Sequence, residues 1–216
     1  MFPPVESASE DGLLCWGGEL STPTLLAAYR RGIFPWPHEG YPLLWFAPPL
    51  RGVLFCNEVK VSRRIRRALR AAGFEMKVNT NFAAVIRACA ASREYSQGTW
   101  ITEEIISAYE KLHSLGVAHS IETYQDGELA GGLYGVSFGK YFGGESMFHR
   151  VDNASKAALI FLCEFLQKRD AHWIDCQLQN PFFAQMGARE IPRRQFTRML
   201  QIAQAEPGQL FAPRAD

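Results

Sequence analysis

The chain is predicted to fold as an α+β protein, a mixed sheet with helices on its faces, and three observations predict it. Residues 119–125, 128–138 and 140–150 read as a meander of antiparallel strands. Asp126-Gly127 stands between the first two as a hairpin turn. Beyond residue 155 the pattern becomes helix, strand, helix, strand, helix, an order that places helices against a sheet.

Taken in order, the first third is rich in Pro, Trp and Gly, with short elements between turns. Thr22-Pro23 opens a helix through Leu25, Leu26 and Tyr29, a hydroxyl cap followed by proline. Arg30 and Arg31 suit its negative end, and Gly32 stops it. A strand pair is expected at residues 43–47 and 52–55. Residues 60–72 read as a two-faced helix, with Val61, Ile65, Ala68, Leu69 and Ala72 on one side at 3.6-residue spacing. Helices follow at 81–92 and 102–115, the second capped by Thr102 and closed by Gly116. After the meander come a buried helix at 155–169, a strand at 173–178, a helix ending near Gly187, a strand at 189–191 and a last helix at 193–204. The boundary between an N-terminal unit, residues 1–92, and a C-terminal unit, residues 93–216, is expected within residues 90–102.

Composition narrows the class. With 216 residues the chain can bury a sizeable core, and 47% hydrophobic against 21% charged residues is an ordinary globular balance. The formal net charge is +1, so attraction to nucleic acid requires local clustering. Five scattered cysteines without a Cys-x-x-Cys pair argue against a closed disulfide framework and for a reducing compartment. The five histidines are isolated from one another and from the cysteines, so no metal site is expected. The N-terminus lacks the basic start and apolar stretch of a signal peptide, and no apolar run approaches the roughly 18 residues of a membrane span. A cytoplasmic protein is expected.

Four features could carry chemistry. Lys60, Arg63, Arg64, Arg66, Arg67 and Arg70 crowd one short helix with no acid among them. A solvated helix usually mixes in Glu at four-residue spacing, so this face reads as a phosphate-binding one, with a plain surface helix as the other reading. Asp175 and Gln177 share one face of a short strand, while Cys176 points to the other. A carboxylate beside an amide can orient an amine, accept its proton or hold a carbonyl oxygen, although an ordinary polar strand end has the same spacing. Gly143-Gly144 marks a bulge or a close approach to ligand, with Glu145 placed to hold a cationic group and Met147 offering a flexible apolar wall. Trp36 and Trp100 sit beside turn residues, where they serve either as stacking surfaces for a nucleobase or as lids on the core.

An ordered set of short motifs resembles the bacterial leucyl/phenylalanyl-tRNA–protein transferase family. It comprises Arg31-Gly-Ile-Phe-Pro-Trp36, Gly131-Gly-Leu-Tyr-Gly135, Gly143-Gly-Glu-Ser-Met-Phe148, Asn153-Ala-Ser-Lys156, Ile174-Asp-Cys-Gln177 and Ile191-Pro-Arg-Arg194. The resemblance implies a small N-terminal domain followed by a C-terminal domain like the N-acetyltransferases (GNAT). It implies transfer of Leu or Phe, and Met less readily, from aminoacyl-tRNA to the N-terminal α-amine of proteins that begin with Arg or Lys, marking them for the bacterial N-degron route. Motif by motif, it assigns catalysis to Asp175 and Gln177 with Glu145 nearby, and the aminoacyl pocket to Phe142, Met147, Leu159 and Ile174. It places the terminal adenosine at Trp36 and Trp100, and the tRNA body on the helix carrying Lys60 to Arg70. No cofactor and no metal are implied, and a monomer is the default. The acetyltransferase loop that cradles coenzyme A pyrophosphate is absent before residue 155, where Arg150-Val-Asp-Asn-Ala-Ser155 stands instead. That argues against an acyl-coenzyme A donor and leaves, as the other rival, an RNA-binding module without catalysis.

Overall fold

A computed structural model describes residues 1–94 and 100–211. Two sheets organise them. The smaller has three strands, β1 (Leu13–Trp16), β2 (Phe34–Pro35) and β3 (Leu44–Phe46), in the order β1-β3-β2, with helix α1 (Thr22–Tyr29) between the first two in sequence. The larger is built from β4 (Leu50–Phe55), β5 (Glu75–Val78), β6 (Ala118–Gln125), β7 (Glu128–Phe138), β8 (Tyr141–His149), β9 (Trp173–Gln177) and β10 (Arg189–Pro192). Its order is β10-β4-β9-β8-β7-β6-β5, antiparallel throughout except for the β8–β9 pair.

The meander forms as its alternation and its Asp126-Gly127 turn predict, with both turn residues in the left-handed region. Odd and even residues feed two cores. Tyr134, Val136, Tyr141 and Trp173 face a cluster with α1, α3 (Phe82–Glu94), α4 (Glu103–Ser114) and α7 (Arg193–Ala205). Leu133, Phe142, Ile174 and Cys176 face the other, formed largely by α5 (Ala154–Gln167), with Met186 of the short helix α6 (Pro181–Met186). The sheet is therefore covered on both faces, the mixed α+β arrangement expected.

Three details differ from the sequence reading. The strands near 43–47 and 52–55 do not pair with each other: β3 joins the small sheet and β4 the large one. Pro48 and Pro49 lie between them, supply no N–H to a ladder and fix their own φ, so the chain changes sheets there. The basic helix α2 (Arg63–Ala71) starts three residues later than expected, because the Ser62 hydroxyl accepts the Ile65 N–H and caps it. Lys60 and Val61 precede the helix. Strand β5 carries no sequence signal, being short and at the sheet edge. The large sheet also runs across position 92–93, since β4 and β5 pair with strands from beyond it. Residues 95–99, within the expected boundary, lie outside the described residues, as do the turn residues Gly98 and Thr99.

The paired glycines of β8 do mark a bulge. Tyr134 pairs with Ser146 and Gly135 with Gly144, leaving Glu145 as the extra residue. Backbones approach closely here, and a Cβ on Gly135 would collide with the Gly143 carbonyl oxygen and meet the Phe142 ring at 2.7 Å. A Gly135→Ala substitution is expected to destabilise the protein by about 1–3 kcal/mol through overpacking, read as a lower urea midpoint at unchanged m-value. A midpoint equal to wild type would mean that the bulge gives way at no cost.

Candidate active site

Beyond their one shared position, Gly143 opposite Asp175, strands β8 and β9 are not paired, and a cavity of about 1070 Å³ opens there. Glu145 and Met147 line one side of the opening, and residues 175–180 line the other. The β9 strand is bulged as well: Gly52 faces Gln177 while Val53 faces Asp175, so Cys176 is the unopposed residue. Gln177 then takes a left-handed conformation (φ 61°), uncommon for a residue other than glycine. Both bulges turn polar side chains toward the sheet opening.

What holds Gln177 in that conformation is a buried ion pair. The Asp175 side chain is fully buried, and Arg51 forks onto it, Nε to Oδ1 at 2.7 Å and Nη2 to Oδ2 at 2.8 Å. Tyr141 donates its hydroxyl to Oδ2 at 2.7 Å, and the Gln177 backbone N–H donates to Oδ1 at 2.8 Å. Burial alone would lower the Arg51 pKa, but the Asp175 carboxylate outweighs it and holds the guanidinium charged. The guanidinium lies between the Phe34 and Phe196 rings, 4.7 and 4.5 Å from their centroids, and donates Nη1 to the Gly32 carbonyl at 3.0 Å. Gly32, at φ 74°, must lack a side chain, because a Cβ would stand 2.6 Å from the Phe196 ring.

Glu145 is the second buried carboxyl, 8% exposed. Its Oε1 accepts the Tyr29 hydroxyl at 2.8 Å and Gln177 Nε2 at 3.0 Å, and its Oε2 accepts the Tyr109 hydroxyl at 3.2 Å. No cation is among these partners. Burial pushes its pKa up to about 7, against the pull of the Tyr29 and Gln177 hydrogen bonds. One carboxylate is thus neutralised by a guanidinium, while the other stands near the midpoint of its titration at neutral pH.

The cavity gathers most of the residues singled out in the sequence. Phe142, Met147, Leu159 and Ile174 form an apolar part of its wall, and Glu145, Asp175 and Gln177 a polar part. Trp36 and Trp100 also line it, both half-buried, with Trp36 packed on Phe46 at 5.5 Å. Of the basic helix's cations only Arg64 reaches the cavity, beside Ile65 and Ala68; Arg63, Arg66, Arg67 and Arg70 are exposed outside it, and Lys60 lines a neighbouring recess. Asp175 does not stand open beside Gln177, as accepting an amine's proton would require: its four acceptor positions are filled and Arg51 already supplies the charge. The sequence reading missed Arg51, Tyr29, Tyr109 and Tyr141. A signal existed for Arg51, since one arginine within the apolar run Leu50–Phe55 needs a buried partner. The tyrosines sit in ordinary apolar elements and carry none. Among the described residues no group of side chains is arranged to hold a metal ion, and no helix is long and apolar enough to cross a membrane.

A mixed sheet opened between two strands, with an apolar wall facing a buried carboxyl–amide cluster, gives this α+β protein a preformed cavity that is apolar on one side and polar on the other. Comparison with known proteins makes this particular. Residues 53–201 match the family described as leucyl/phenylalanyl-tRNA protein transferase, and residues 18–49 match the N-terminal domain described for it. Leucyl/phenylalanyl-tRNA–protein transferases of Azoarcus sp. (strain BH72) and Nitrosospira multiformis are 53% and 50% identical. The first match covers 90% of this chain and 84% of the relative, the second 93% and 87%. The chain belongs to the leucyl/phenylalanyl-tRNA–protein transferase family and is an aminoacyltransferase. The C-terminal domain of a putative lysylphosphatidylglycerol synthetase from Agrobacterium fabrum overlays with a TM-score of 0.47 at 10% identity, covering 80% of this chain and 64% of that one.

Two stability predictions follow from the carboxyls. Arg51→Ala strands a buried charge and is expected to cost about 3–5 kcal/mol in urea unfolding, whereas the double variant Arg51→Met, Asp175→Leu recovers most of it. A single variant within about 1 kcal/mol of wild type would show instead that water reaches Asp175. For Glu145 the folded-state pKa lies above the ordinary 4.5. The folded protein therefore holds the extra proton between the two values, and stability falls as pH rises from about 4.5 to about 7. Glu145→Gln, neutral at every pH, is expected to gain at most about 3 kcal/mol over wild type at pH 8, with the gain shrinking toward zero near pH 4.5. A gain independent of pH in thermal melts would remove Glu145 titration as its cause.

Proposed function

We propose that the chain transfers leucyl or phenylalanyl groups, and methionyl groups less readily, from aminoacyl-tRNA to the α-amine of proteins that begin with Arg or Lys. In the cytoplasm this reaction would feed the bacterial N-degron route. The observation that carries the reading is the one cavity that joins the apolar wall of Phe142, Met147, Leu159 and Ile174 to the Glu145–Gln177 pair and to both tryptophans. An unbranched-at-Cβ side chain would occupy the apolar part, the terminal adenosine would lie between Trp36 and Trp100, and the ester carbonyl would face Gln177. An apolar pocket discriminates by only about 1–3 kcal/mol per methylene-sized difference, so leakage to Met is expected.

The aminoacyl ester is already an activated donor, and no cofactor is invoked. The amine nitrogen attacks the ester carbonyl, the C–N bond forms, and the ester C–O bond breaks to release the 3′-oxygen, which leaves as the hydroxyl once the proton given up by the amine is passed to it. Gln177 donates Nε2 to Glu145, which leaves Oε1 as an acceptor for the attacking amine. Glu145, with its pKa near 7, is suited to receive the proton the amine loses. Asp175 is a positioning residue in this scheme, acting through the Gln177 backbone. The five exposed arginines of α2, Arg64 among them, would meet the tRNA backbone, where Arg forks well onto phosphate.

Ligation of radiolabelled Leu from Leu-tRNA to a peptide starting with Arg, beside a Gly-starting control and an acetyl-coenzyme A arm, tests the reading. Label is expected on the Arg peptide from the tRNA donor alone. Gln177→Ala is expected to lower the single-turnover rate by about tenfold or more, the loss of one hydrogen bond that orients the amine. If both Gln177→Ala and Glu145→Gln keep near-wild-type rates, the pair does no chemistry, and proton transfer through the tRNA's own 2′-hydroxyl replaces this scheme.

A further inference from the structure

The cavity continues into two recesses of opposite charge. One, of about 470 Å³, shares Ser62, Ile65, Lys156 and Phe182 with the main cavity and adds Lys60 to its wall. Its only charged wall residues are these two lysines. Neither is ion-paired among the described residues; Lys156 donates to Asn153 Oδ1 at 3.2 Å, a neutral partner. The other groove, of about 1140 Å³, adjoins the cavity across Trp100 and carries Glu19, Glu39, Glu103 and Glu104 against Lys111. A polyanionic strand whose end lies between Trp36 and Trp100 is repelled on the Trp100 side and attracted on the lysine side.

Local packing holds the Lys60 end of the recess in place. The Lys60 N–H donates to the Met186 carbonyl at 2.9 Å, at the end of α6. The next residue, Gly187, has φ 100° and lets the Lys60 segment cross closely, since a Cβ there would meet Lys60 Cγ at 3.3 Å and the Glu58 carbonyl oxygen at 2.8 Å. On the other wall Lys156 belongs to the first turn of α5, so both ammonium groups are carried by ordered backbone.

We propose that this recess binds the phosphodiester on the 5′ side of the aminoacylated terminal nucleoside, with Lys60 and Lys156 as its cationic contacts. The proposal rests on the aminoacyl-tRNA reading and adds to it a separate subsite, one nucleotide from the reacting ester and distinct from the exposed face of α2. A recess of this size lies within the ~300–1,000 Å³ of ordinary small-molecule sites. Phosphate recognition by two lysines is charge-based and indifferent to the base, so this subsite anchors the strand without reading its sequence.

Two donors separate this subsite from the rest of the reaction: leucyl-adenosine, which has no 5′ phosphate, and the leucyl ester of cytidylyl-(3′→5′)-adenosine, which has one phosphodiester. The readout is the ratio of kcat/KM for the second over the first, from which the concentration of active enzyme cancels. Lys156→Ala and Lys60→Ala are each expected to lower that ratio about tenfold, the loss of one charge-assisted contact. Lys156→Arg is expected to restore most of it. A ratio unchanged by both alanine variants, or loss of both donors alike, overturns the proposal. Wild-type enzyme that transfers from neither donor, and from Leu-tRNA not at all, overturns the parent reading and the subsite with it.

Discussion

The site depends on one buried ion pair. Arg51 and Asp175 are withdrawn from water at 2% and 0% exposure, a placement whose desolvation cost is recovered only if every polar position finds a partner. Here the accounting closes. The carboxylate accepts from the guanidinium fork, from Tyr141 and from the Gln177 backbone, and the guanidinium spends its remaining contact on Gly32 between two aromatic rings. Lysine would not replace Arg51, because a point charge cannot fork onto a carboxylate or lie flat between rings. The pair ties β4 to β9, takes in Tyr141 of β8, and borrows packing from α7.

From that anchor the geometry propagates outward by one residue at a time. Asp175 grips the Gln177 N–H, the chain turns left-handed, and the Gln177 amide meets Glu145, which is itself pushed out of its strand by the bulge. Two carboxyls on neighbouring strands thereby acquire different roles from their surroundings alone. Asp175 faces a cation and is enclosed by hydrogen-bond donors. Glu145 faces hydroxyls and an amide in a dry site, so its proton affinity rises to the range useful for proton transfer.

Electrostatics outside the core are organised as well, although the net charge of +1 conceals it. Lysines and the arginine helix lie on one side of the cavity and glutamates on the other. If the polyanion enters along the basic side, as proposed, the acidic groove is left clear of it.

Periodicity and turn chemistry were sufficient for most of the architecture. The meander, its Asp126-Gly127 turn, the buried α5 and the helices around it follow from contacts between near neighbours in sequence, which is why they are legible there. The bulge at Gly143-Gly144 was legible for the same reason, since a glycine pair weakens a strand wherever the strand sits. Asp175, Gln177, Glu145 and the apolar wall were found chiefly because their short motifs resemble those of a family. What the tertiary structure alone decided is the surroundings of each. Arg51 and Asp175 are 124 positions apart, and Tyr29 and Glu145 are 116 apart. No local pattern records such pairings, because burial and hydrogen bonding are settled by which strands become neighbours in the sheet. The sequence by itself determined where the polar groups occur and what elements carry them; the packing of β4 beside β9 decided that one carboxyl would be neutralised and the other left to titrate.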